Sequence, residues 1–160
     1  MFTEVLRATP LTQALVAGLG LGVVALQLGV AVAAREEIGW FYLPTVLLSF
    51  GLCAAVARMS SAVLVGPDVA TLSMRLGGVL VWRRRLHADD VQRVERGVAG
   101  AMSAGGLGLR FLGGGRVALM VRHGDAVRIG LTDGYREYLV VTERPEELMT
   151  ALTNLVATPR

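Results

Sequence analysis

Two long apolar runs open the chain, and a pattern of a different period follows them. Residues 11–34 are an unbroken stretch of apolar and small side chains, with Thr12 and Gln13 at its start and Gln27 inside. As a helix this run spans about 36 Å, enough to cross a hydrocarbon core of about 30 Å. A second run covers residues 38–57 and opens with Trp40, Phe41 and Tyr42, types that favour the membrane–water interface. Pro44 falls in its first turns, where a helix tolerates proline. Only Arg35, Glu36 and Glu37 separate the runs, so the pattern predicts a two-helix antiparallel transmembrane hairpin within residues 1–60.

Small residues recur at helical spacing along these runs. Gly18, Gly22, Ala25 and Gly29 share one face of the first, and Gly51 and Ala55 share one face of the second. Small side chains let helix backbones approach closely in lipid, either within the pair or between two copies of the chain. A signal peptide reads the first run differently, with Arg7 before it and Ala31, Val32 and Ala33 resembling a cleavage site. The run is longer than the usual apolar core of about 7–15 residues in such peptides.

From residue 61 the period becomes two, that of strands. Leu72, Met74 and Leu76 alternate with Thr71, Ser73 and Arg75; Val117, Leu119 and Val121 repeat the pattern, as do Val127, Ile129 and Leu131. Turn residues punctuate the runs at residues 66–68, 77–78, 113–115, 123–125 and 133–134. Such turns predict antiparallel neighbours. Pro145, Glu146 and Glu147 start a helix over residues 145–156, with Leu148, Ala151, Leu152, Leu155 and Val156 at helical spacing. The expectation is a mainly-β domain of antiparallel sheets over residues 61–160, closed by a C-terminal capping helix.

Composition sharpens this division. The chain is 53% hydrophobic and 18% charged with a mean hydropathy of +0.54, less charged than an ordinary soluble domain. All 16 basic residues are arginine, and the net charge of +3 is too small to point to nucleic acid. Arginines following the second run (Arg58, Arg75, Arg83, Arg84 and Arg85) outnumber Arg35 between the runs. By the positive-inside rule this predicts a multi-pass protein of the inner (plasma) membrane with its C-terminal domain in the cytoplasm.

Two stretches carry a likeness. Residues 79–95 read as an arginine-rich strand, a turn and a strand ending in Val94-Glu95, and residues 126–155 read as strand, turn, strand and helix. Together with the apolar hairpin, this order resembles the bacterial membrane-anchored pleckstrin-homology (PH-like) proteins. The resemblance implies two sheets forming a barrel capped by a helix. It adds little on function. Gly66, Pro67 and Asp68 fill the place of the basic first loop of lipid-binding PH domains, which argues against phosphoinositide recognition there.

The chemistry-bearing residues are few. A P-loop requires lysine, which is absent, and Gly105, Gly106 and Gly108 lack dinucleotide-fingerprint spacing. His87, Asp89 and Asp90 lack the second half of a zinc site. Cys53 falls in an apolar run, and Ser60 and Ser61 have no nearby His–Asp pattern. In a strand, Arg83 and Arg85 point one way and Arg84 the other. With Arg58 and Arg75 they predict a basic surface that contacts anionic lipid headgroups. The sequence therefore predicts a non-enzymatic, membrane-tethered PH-like binding or scaffolding module without cofactor, metal or nucleic-acid partner. The alternative is an accessory subunit of a larger membrane (transport or envelope) complex, with a protein partner or a second copy against the small-residue faces.

Overall fold

The computed structural model describes residues 1–33, 42–100, 107–133 and 136–157, with Tyr42 described by its backbone alone. The expected connection at residues 35–37, and Trp40 and Phe41 of the expected aromatic belt, lie outside these residues.

The chain begins with a strand, β1 (Phe2–Arg7), in a segment that the hydropathy pattern assigns to the membrane part. Phe2, Glu4 and Leu6 are buried and Thr3, Val5 and Arg7 exposed, the period-two signature of a half-buried strand. Helix α1 (Pro10–Ala33) follows directly. Thr9 caps it: its hydroxyl accepts the Thr12 N–H at 3.2 Å, and Pro10 occupies the first helical position. Helix α2 (Tyr42–Ala57) returns beside α1. Gly20 lies against Cys53, and the Gln27 side-chain amide donates to Ser49 Oγ at 3.0 Å. Those two contacts run in opposite order along the helices, so the pair is antiparallel.

The expected bounds of 11–34 and 38–57 shift little at the ends described. α1 is long and apolar enough to cross a membrane; α2 is apolar and shorter, at 16 residues. Gly20 is the one buried residue of α1.

Among the described residues, nine strands form two sheets. The first has the order β1-β2-β3-β4, with β2 (Ser60–Val65), β3 (Val69–Leu76) and β4 (Val79–His87). The second has the order β5-β8-β9-β7-β6, from β5 (Val91–Ala99), β6 (Gly108–Leu112), β7 (Arg116–Met120), β8 (Gly124–Leu131) and β9 (Glu137–Val141). All pairs are antiparallel except β7 with β9, which is parallel. This corrects the expectation that β7 and β8 are neighbours. β9 lies between them, and the short link from β7 to β8 steps across two strand spacings, about 10 Å.

The core lies between the sheets. Leu72, Met74 and Leu86 from the first meet Leu119, Val127, Ile129 and Val140 from the second in one buried cluster. Helix α3 (Pro145–Ala157) closes it with Leu148, Leu152 and Leu155, its acidic first turn facing the positive end of its dipole. β1 is tied to this closure. The Thr142 hydroxyl and the Glu143 N–H both donate to the Glu4 carboxylate, and the Arg144 guanidinium stacks over Phe2, 4.9 Å from the ring centre.

Candidate functional site: a basic sheet face at the foot of the helices

The topology of the first sheet places both apolar helices inside a strand connection. β1 ends at Arg7, α1 and α2 follow, and β2 starts at Ser60 directly opposite Arg7. The two helix ends near the sheet are stitched to it. Ala8 N–H donates to the Met59 carbonyl, and Gly77 N–H donates to the Ala55 carbonyl at 3.0 Å. Gly77 has φ +59°, and a Cβ there would lie 3.2 Å from Ala55, so glycine answers both the turn and the approach. The β3–β4 turn thus sits on the last turns of α2.

Register fixes what each face of this sheet presents. The inner face carries Phe2, Val65, Ala70 and Leu86 in one row and Glu4, Val63, Leu72 and Arg84 in the next. The outer face carries Arg7, Ser60, Arg75 and Leu80 in the row nearest the helices. Farther out come Val5, Ala62, Ser73 and Arg83, then Thr3, Leu64, Thr71 and Arg85. Those three outer rows contain no carboxylate. β4 has an extra residue at Val81, a bulge at the end nearest the helices.

Arginine pairing divides the domain. Each described arginine from Arg93 onward has a partner. Arg93, Arg96, Arg122, Arg128, Arg136 and Arg144 meet carboxylates, and Arg110 and Arg116 donate to backbone carbonyls. Arg7, Arg58, Arg75, Arg83 and Arg85 form no ion pair among the described residues. Arg58, Arg75, Arg83 and Arg85 are exposed and so available to a ligand. Arg84 points inward as the alternation predicts, half-buried, with its Nε unpaired. Arg7 was missed as a site residue because nothing local shows that it begins a sheet row shared with Arg75.

A groove of about 610 Å³ runs along this foot. Arg7, Ser60 and Arg75 floor it, Arg58 and Gln13 border it from the helix side, and Gly77 and Gly78 close one end.

The small-residue face is placed otherwise. Gly20 is the glycine at the α1–α2 contact; a Cβ there would lie 2.8 Å from Cys53. Gly18, Gly22, Gly29 and Gly51 have open space where a Cβ would be, and Ala25 is exposed. At about 100° per residue, Gly18, Gly22, Ala25 and Gly29 lie on the side of α1 opposite Gly20. Ala55 serves the contact with the β3–β4 turn.

His87 and Asp90 frame a short 3-10 turn (Ala88–Asp90), where the His87 N–H donates to Asp90 Oδ2 at 2.8 Å. That bond, aided by the His87 side chain and Arg84, outweighs the opposing effect of desolvation and lowers the Asp90 carboxyl below its ordinary value. No group of three metal-ligating side chains occurs among the described residues. Comparison with family models, curated proteins and solved structures finds no match to this chain.

Proposed function

We propose that the protein is a non-enzymatic, membrane-tethered PH-like binding or scaffolding module whose ligand surface is the outer face of its first sheet. The observation that carries the reading is the acid-free basic face, Arg7, Arg75, Arg83 and Arg85, rising from the foot of two apolar helices. An uncompensated face of arginines attracts an acidic partner; ion-paired arginines elsewhere on the domain offer far less.

Both helices cross the bilayer in this reading. A connection that leaves a sheet at Arg7 and returns at Ser60 makes an even number of crossings. Exposed Val79 (69%), Leu80 (48%) and Val81 (53%) on edge strand β4 favour a headgroup-level position for the turn that sits on α2, since three exposed apolar residues on a free edge invite aggregation in water. Arg7 and Arg58 flank the helices on the domain side, which favours a cytoplasmic domain. The PH-like assignment draws on two apposed sheets with a C-terminal helix across them; the parallel β7–β9 pair departs from an all-antiparallel plan.

The test is labelling in cells of a Cys53→Ser background carrying Thr3→Cys or Asp68→Cys. Both cysteines should stay in the membrane fraction after alkaline extraction and react with an impermeant thiol reagent only after the inner membrane is opened. Release of the protein into the soluble fraction, or labelling on opposite sides, overturns the reading.

A second reading, an accessory subunit of a larger membrane complex, is favoured by the open face of Gly18, Gly22 and Gly29. In that case Gly22→Leu abolishes co-purification of a partner from mild detergent.

A further inference from the structure

We infer that the groove at the foot of the helices is a site for the phosphate headgroup of an anionic phospholipid. The inference rests on the reading of α1 and α2 as a membrane anchor, and it names the ligand of the basic face.

Three chain segments bring cations to one place. Arg7 ends β1, Arg58 lies in the link from α2 to β2, and Arg75 nears the end of β3. Arg7 and Arg75 flank Ser60 in one row of the sheet. Adjacent strands lie about 4.8 Å apart, so the two arginine backbones stand about 10 Å apart with the serine midway. Two long guanidinium side chains converging over a hydroxyl are suited to a phosphodiester: planar donors meet its oxygens from both sides and Ser60 donates from below. No carboxylate lies on this face to compete. Among the described residues no hydrogen bond or ion pair engages the side chains of Arg7, Arg58, Arg75 or Ser60.

The surroundings select a lipid over a free anion. Gln13 in the first turns of α1 lines the groove, and α1 is long and apolar enough to cross a membrane. Val5, one row farther from the helices than Arg7, and Met59 add apolar wall to the groove itself. An amphiphile with a charged head and acyl chains matches a basic groove at the foot of an apolar helix. Inorganic phosphate matches only the head.

The experiment uses the full chain in mild-detergent micelles, titrated with fluorescent phosphatidylglycerol or phosphatidylcholine, with inorganic phosphate as competitor. Saturable binding of phosphatidylglycerol in preference to phosphatidylcholine is expected. At about 1 kcal/mol for each arginine, Arg7→Gln with Arg75→Gln should weaken it about thirtyfold. Arg96→Gln, which removes an arginine already paired with Asp125 and Glu146, should leave binding unchanged. If thermal unfolding shows that the double variant is destabilised, Arg58→Gln carries the test with an expected loss of about fivefold. Equal binding of the two lipids, or wild-type affinity in the folded variants, overturns the proposal. So does displacement of the lipid by millimolar inorganic phosphate, which would assign the groove to the free anion. Alkaline extraction of the same variants keeps the two readings separate: a protein that stays in the membrane but shows no lipid preference sinks this site alone.

Discussion

Arg7 and Ser60 stand opposite each other on adjacent antiparallel strands, although both apolar helices lie between them in the chain. That pairing makes the N-terminal strand part of the domain, and it supplies the first prediction. Glu4 is buried and accepts hydrogen bonds from the Thr142 hydroxyl and the Glu143 N–H. Glu4→Ala should cost about 2–3 kcal/mol, because two donors lose their acceptor in a buried place. Thermal unfolding in detergent measures it. Glu4→Gln, which retains one acceptor oxygen, should recover part of the loss.

Gly20 separates the α1–α2 contact from the open glycine face. Gly20→Leu drives a side chain into Cys53 and should destabilise the helix pair by about 1–3 kcal/mol. Gly18→Leu enters open space and should not. The reaction rate of Cys53 with a small permeant thiol reagent reads the difference: it should rise in the first variant and stay at the wild-type value in the second.

Gly77→Ala should cost more than Gly78→Ala. Both positions have positive φ, +59° and +89°, but only Gly77 also has Ala55 at 3.2 Å from a new Cβ. A loss of about 1–2 kcal/mol from backbone strain is common to both. The excess at Gly77 measures the seating of the β3–β4 turn on α2, and comparative thermal unfolding resolves it.

Asp90 sets a small acid-side dependence. Its carboxylate is favoured in the folded state, first by the His87 N–H. The stabilisation is therefore complete above the unfolded carboxyl value, near 3.8, and is lost as pH falls through the lower folded value. Because the group is well exposed, the loss stays below about 1 kcal/mol. Asp90→Asn should flatten this part of the stability profile, as followed by unfolding at pH 5 compared with more acid buffer.

Much of the architecture lies in local pattern. The apolar runs mark α1 and α2, the alternation of Leu72, Met74 and Leu76 marks β3, and Pro145 with two glutamates marks α3. β1 escaped because it is short, carries Glu4 in its buried register, and meets its partner only beyond two helices. β6 escaped behind a glycine-rich approach whose residues 101–106 lie outside the described structure. The β7–β8 link reads as a hairpin because sequence shows its brevity and not the strand interposed by later chain. Of the basic face, Arg58, Arg75, Arg83 and Arg85 were readable from charge and alternation. The contribution of Arg7 follows from long-range pairing, and the absence of carboxylates from the face follows from register.

Under the proposed membrane reading, the placement of both helices between β1 and β2 also ties biosynthesis to the finished sheet. With the helices in a bilayer, a chain that threads only one of them leaves its first strand stranded on the far side. The edge of β2 then stays bare, Thr142 and Glu143 find no acceptor, and the molecule displays to proteases and chaperones the error that produced it. In the proposed two-crossing arrangement, correct threading in either orientation reunites the strands, so completion of the sheet would report parity of crossing and the arginines at the helix feet would set direction.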